Sequence, residues 1–176
     1  MIIMTVNFDQ LIEVEAEDNT FVLRTPEEFA AAESQVVEYL AGSEPRVPVL
    51  KIHGSIEDPE SLVASIDLTA IGLHDAVRSV LDQVVDKGPA PTPWVWVGCS
   101  MRDRDVNDWL RSFGNGQIDE WWVDPFPGVS LDAFVQDARE PIWRQSGRTL
   151  HDRLVIDSSD RFLSKLAAHF AGNSGA

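Results

Sequence analysis

The residues best equipped for chemistry stand just after short apolar runs. Asn7 and Asp9 follow the run 1–6, His53 and Gly54 follow 47–52, Gly98 and Ser100 follow 94–97, and Asp124 follows 118–123. In an open α/β sheet, ligands sit in the crevice outside the carboxyl ends of the strands. A set of polar residues at several strand ends therefore points to a ligand site. Each member alone also has a structural reading. Asn7 or Asp9 can cap the turn into a following helix. His53 can be a structural histidine, although the glycine beside it permits close approach of a ligand. Asp103 can cap a helix and Asp105 can complement its positive end. A metal site on these two carboxylates is the weaker alternative, because no third ligand lies nearby in sequence. Arg102 and Arg104 read as solvated charge before they read as phosphate ligands. The Trp94/Trp96 and Trp121/Trp122 pairs read as sheet packing and Cys99 as a small apolar filler. His74, His151 and His169 suggest no role.

Positioning these residues requires strands alternating with helices. Runs 1–6, 21–24, 47–52, 94–97 and 118–123 predict strands, the first of them buried, and 154–156 predicts an additional edge strand. Between them, 8–15 predicts a short helix. Thr25-Pro26 with Glu28 forms a capping-box pattern for a helix carrying Phe29, Val36, Val37 and Leu40 on one face, ended by Gly42. Leu73, Val77, Val80, Leu81 and Val84 make a helical stripe within 69–86. Helices are also expected at 103–113, 131–138 and 160–170, with a Gly/Pro linker at 87–93. The expected class is α/β, with a Rossmann-like, mainly parallel sheet and helices on both faces. The organisation expected is one domain over 1–176, with a Rossmann-like part at 1–125 and a helical tail at 126–176.

Composition narrows the function. Apolar residues make up 44% of the 176-residue chain, with six Trp and eight Phe, which supports a real core. Fourteen Lys and Arg against 29 Asp and Glu give a formal charge of −15, which repels nucleic acid and anionic lipid. The single cysteine excludes a disulfide within the chain and a Cys-based zinc site. The first residues lack a basic n-region, and no segment is long enough to span a membrane. A soluble cytoplasmic protein without nucleic-acid or membrane partners is expected.

Taken together, four segments resemble the sirtuin family. Thr5-Val6-Asn7-Phe8-Asp9 resembles its Thr-Gln-Asn-Ile-Asp pattern, and Lys51-Ile52-His53-Gly54 its catalytic His-Gly segment. Val97-Gly98-Cys99-Ser100 resembles the later Gly-Thr-Ser segment, and Trp122-Val123-Asp124-Pro125 stands at the last nucleotide-contacting strand end. Order and spacing are similar to the divergent sirtuin-like domains of bacterial defence proteins, over nearly all of the chain to about Pro125. The resemblance implies NAD as substrate, cleavage of the nicotinamide–ribose bond, an antiviral defence role, and no zinc. It implies His53 and Asn7 as catalytic residues: His53 as general base, Asn7 holding a water or ribose hydroxyl. Asp9 would hold the carboxamide. Gly54, Gly98, Ser100 and Asp124 would contact NAD, the last two at the adenine-side ribose. It leaves room for a homo-oligomer or a fused or partner sensor domain.

Two departures qualify the resemblance. The four-cysteine zinc module, which helps form the acyl-lysine tunnel, is missing, so a deacylase is not expected. The family's first strand and Gly-Ala-Gly-x-Ser loop have no counterpart before Thr5, so the fold is expected to be N-terminally truncated. The strands at 1–6 and 94–97, which would flank that element, are then expected to pair directly. The chain alone is expected to bind NAD weakly and not to cleave it, and cleavage is expected only from a protein completed by the upstream Gly-rich segment. A non-catalytic sirtuin-like remnant, or an unrelated Rossmann-like module for another nucleotide, are the alternatives.

Overall fold

A computed structural model describes residues 1–63, 65–98, 103–113, 117–125 and 154–173. The chain divides into two compact units, Met1–Ala90 with Arg104–Trp109, and Pro91–Asp103 with Leu110–Ala176. Each contains a three-stranded parallel sheet with helices, and the architecture is α/β and Rossmann-like.

In the first unit, β1 (Ile3–Thr5), β2 (Thr20–Leu23) and β3 (Val47–Lys51) form a sheet of order β1-β3-β2. β3 is central, and it is the most buried of the three strands, as pairing on both edges demands. α1 (Leu11–Glu15) joins β1 towards β2, and α2 (Pro26–Leu40) joins β2 to β3. The capping box is present: Glu28 N–H donates to Thr25 Oγ1 at 3.2 Å, and Thr25 N–H donates to Glu28 Oε2 at 3.3 Å. α3 (Ile66–Thr69) precedes α4 (Asp75–Lys87), which packs on α2. Val77, Val80, Leu81 and Val84 of the expected stripe are buried there, with Phe29 and Val36 of α2. Polar bonds flank this apolar seam, with Ser79 donating to Glu33 at 3.1 Å.

Three elements of this part of the fold differ from expectation. The helix expected over 69–86 begins only at Asp75: Gly72 has a φ of 95°, and His74 caps α4 by accepting the Ala76 N–H on Nδ1 at 3.3 Å, so Leu73 of the expected stripe lies before the helix. The strand expected to be buried over 1–6 spans only three half-buried residues, because among the described residues it lies at the edge of its sheet and pairs with β3 alone. Its expected direct pairing with the strand at 94–97 is not among the strand pairs of the described residues. β4 (Thr92–Val97) is likewise an edge strand, bonded to β5 (Ile118–Val123).

The second unit's sheet has the order β4-β5-β6, with the edge strand β6 at Leu154–Val155. Trp94 and Trp96 lie on one face with centroids 5.6 Å apart, and the Trp96 indole donates to Glu120 Oε1 at 2.8 Å. That bond satisfies an indole N–H inside the sheet packing. α6 (Ser159–Asn173) follows β6. α5 (Arg104–Arg111) contributes residues 104–109 to the first unit, where Trp109 is fully buried and donates to Asp82 at 2.8 Å. The helix expected at 131–138 lies outside the described residues.

Candidate functional site

Parallel pairing of β1 with β3 sets the geometry of the first unit's strand ends. Thr5 is in register with Lys51, and Ile52 N–H donates to Thr5 O at 3.2 Å. Asn7 and His53 each stand two residues beyond that matched pair, at the carboxyl ends of neighbouring strands. Asn7 is exposed, with its N–H donating to Thr5 Oγ1 at 3.0 Å. Asp9 is exposed as well, and its Oδ1 accepts the Leu11 N–H at 3.1 Å, which supports the start of α1.

His53 is buried, at 3% exposure, and its Nε2 lies 2.9 Å from Oδ2 of Asp105, which is 2% exposed. Asp105 sits in the first turn of α5, where its Oδ1 also accepts the Val106 N–H at 2.8 Å. The helix-terminus role read from the sequence is thus retained by one oxygen, while the other serves the histidine. An ionised carboxylate only accepts hydrogen bonds, so a bond to one places the ring hydrogen on Nε2 and leaves Nδ1 as the acceptor nitrogen. Such a pair fixes the tautomer and stabilises an imidazolium if one forms. Sequence reasoning missed this partner, because a first-turn acid at a helix start already had an explanation and the pairing spans two distant segments.

Gly54 has a φ of 85°, a left-handed conformation that favours glycine. A Cβ there would lie 2.3 Å from the Ser61 carbonyl oxygen. The close approach this glycine permits is therefore that of its own chain: Ser61 Oγ accepts the Ser55 N–H at 3.0 Å and donates to Asp58 O at 2.6 Å.

In the second unit, Gly98 ends β4 with a φ of 64°, and the Ser159 hydroxyl stands 3.2 Å from where its Cβ would be. Asp124 is buried just past β5, its N–H donating to Val155 O at 3.1 Å. Ser100 lies outside the described residues. Among the described residues, no cluster of three or more His, Cys, Asp or Glu side chains is arranged to hold a metal, and no helix is long and apolar enough to cross a membrane.

The SIR2-like domain model matches residues 1–156, and the chain belongs to that family. SIR2-like domains bind NAD, and the function indicated is NAD-binding and sirtuin-like. No curated protein and no solved structure gave a significant match.

Proposed function

We propose that the protein cleaves the nicotinamide–ribose bond of NAD by hydrolysis, as an NAD glycohydrolase of the sirtuin-like type, with its two units acting as one NAD-binding domain in antiviral defence. The observation that carries the reading is the buried His53–Asp105 pair at the carboxyl end of β3, beside the strand end that bears Asn7. Nicotinamide in NAD is bound as a cation. When its bond to the ribose C1′ breaks, the electron pair returns to the ring nitrogen and nicotinamide leaves neutral, without an acid. The site must supply orientation, stabilise the oxocarbenium-like carbon, and deliver water. Asn7 holds the water or a ribose hydroxyl. His53 Nδ1 takes the water's proton as its oxygen bonds to C1′, and Asp105 stabilises the imidazolium so formed. The proton then passes to solvent, and the products are ADP-ribose and nicotinamide. Asp9 and the backbone beside it are assigned to the carboxamide, and Gly54 to contact with NAD. Gly98, Ser100 and Asp124 are assigned to NAD on family resemblance alone.

Nicotinamide release by the full-length protein, followed by chromatography, tests the proposal. His53→Ala is expected to abolish release, and Asn7→Ala and Asp105→Asn to lower it by about 10²–10⁴-fold, the worth of general-base catalysis. Release by His53→Ala at the wild-type rate would overturn the assignment. A second reading, a non-catalytic sirtuin-like fold, is favoured by the near-complete burial of His53. Under that reading the wild type releases no nicotinamide, while His53→Ala still lowers stability.

A further inference from the structure

Lys51 is the last residue of β3, and its side chain is fully buried. A lysine almost never reaches that depth unless its charge and its donors are matched. Here all the matching groups but one come from the segment just after β1. The ammonium donates to Asp9 O, to Phe8 O at 3.4 Å and to Glu13 Oε1 at 2.7 Å, and also to Ser55 Oγ at 3.1 Å. Phe8 O accepts a further bond from Ile56 N–H at 3.1 Å. Apart from these, the segment is weakly held. β1 pairs over three residues, α1 is five residues long with no buried side chain, and Leu11 and Val14 are exposed. Apolar burial therefore does little to fix residues 7–15, and one buried cation does much.

We propose that Lys51 is a positioning residue: its ammonium locks the Phe8–Glu13 segment onto the end of β3 and so sets the place of Asn7 relative to His53. The inference rests on the proposed cleavage reaction for its functional part, while the lock itself is a statement about the fold. Lys51 stands two residues before His53 in the chain, and its carbonyl acceptors are one and two residues after Asn7. The same side chain thus ties the two strand ends that the reaction uses, without touching substrate. Glu13 keeps the buried charge balanced and is the second half of the lock.

The test uses the full-length protein with Lys51→Met, which keeps length and removes the charge, and Glu13→Gln, which keeps an acceptor. Two measurements are made on each: amide hydrogen exchange by residues 8–15 against residues 20–40, and kcat and KM for nicotinamide release. Lys51→Met is expected to raise exchange at 8–15 about tenfold or more, the loss of a charge-assisted bond, with 20–40 unchanged. Its kcat is expected to fall about 10²-fold, the cost of a misplacement of ~1 Å, with KM within about threefold. His53→Ala serves as contrast: release lost, exchange at 8–15 unchanged. Unchanged exchange in Lys51→Met overturns the lock. Faster exchange with wild-type kcat overturns the positioning role and leaves the cleavage reading standing. If the wild type releases no nicotinamide, the cleavage reading fails and exchange alone decides the lock. Should Lys51→Met not fold, Glu13→Gln decides by the same criteria, with smaller changes of the same sign.

Discussion

Gly54→Ala is expected to destabilise the protein by about 3–5 kcal/mol, and the components can be separated. A left-handed φ costs a non-glycine residue roughly 1–2 kcal/mol. Replacing glycine restores about 0.4–1 kcal/mol by restricting the unfolded chain. The new Cβ meets the Ser61 carbonyl oxygen at 2.3 Å and its carbonyl carbon at 2.5 Å, which are backbone atoms and yield only if the turn moves. Overpacking of that kind costs about 1–3 kcal/mol. Displacing Ser61 also forfeits its bond from Ser55 N–H, worth about 1 kcal/mol. Gly42→Ala is the control: φ is 81° but nothing lies within 4 Å of its Cβ, so only the backbone term of about 1 kcal/mol remains. Urea unfolding of the three proteins at constant m reads the difference directly. If Gly54→Ala unfolds at the same midpoint as Gly42→Ala, the turn does not hold Ser61 as described. A glycine retained only for ligand approach would give that result.

Further perturbations address other elements. Thr25→Ala removes the side-chain half of the capping box on α2 and should cost about 0.5–2 kcal/mol in urea unfolding. His74→Ala removes the Nδ1 cap of α4, should cost about 1 kcal/mol or less, and should leave nicotinamide release unchanged. Glu44 accepts hydrogen bonds from the Arg46 and Gln35 side chains, and these hold its carboxyl down to about 2 from an ordinary 4.5. A lowered carboxyl contributes stability that is present above pH 4.5 and lost as pH falls towards 2. Glu44→Gln is therefore expected to flatten the decline in urea midpoint between about pH 5 and about pH 3, and an unchanged acid limb would count against the pair.

The strand ends were legible because an apolar run closed by a polar residue says both where a strand stops and which end faces a ligand. That placed Asn7 and His53 beyond strand ends, which the structure makes neighbours, and the Thr25-Pro26-Glu28 pattern placed the start of α2. Asp105 was not legible as a partner of His53. A buried imidazole needs a partner somewhere, but only tertiary contact says which of many acids supplies it. Lys51 carried a signal that went unread: a lysine inside the otherwise apolar run 47–52 has no route to water through a central strand, so it must be paired within. The late start of the 69–86 helix, at Asp75, was foreshadowed by Gly72, yet an apolar stripe counted from Leu73 hides it, since a cap and a helix interior share residue types.

The first unit takes residues 104–109 from beyond a stretch that belongs to the second. During synthesis its sheet, α2 and α4 are all available once Lys87 has emerged, but two partners are still to come: Asp105 for His53 and Trp109 for Asp82. Roughly twenty more residues must be added first, about 1–4 s of elongation. For that interval the nascent unit is assembled while its histidine has no carboxylate beside it. A fragment ending at Ala90 would make this state permanent, so any minimal form intended to retain the His53 environment has to extend through Trp109.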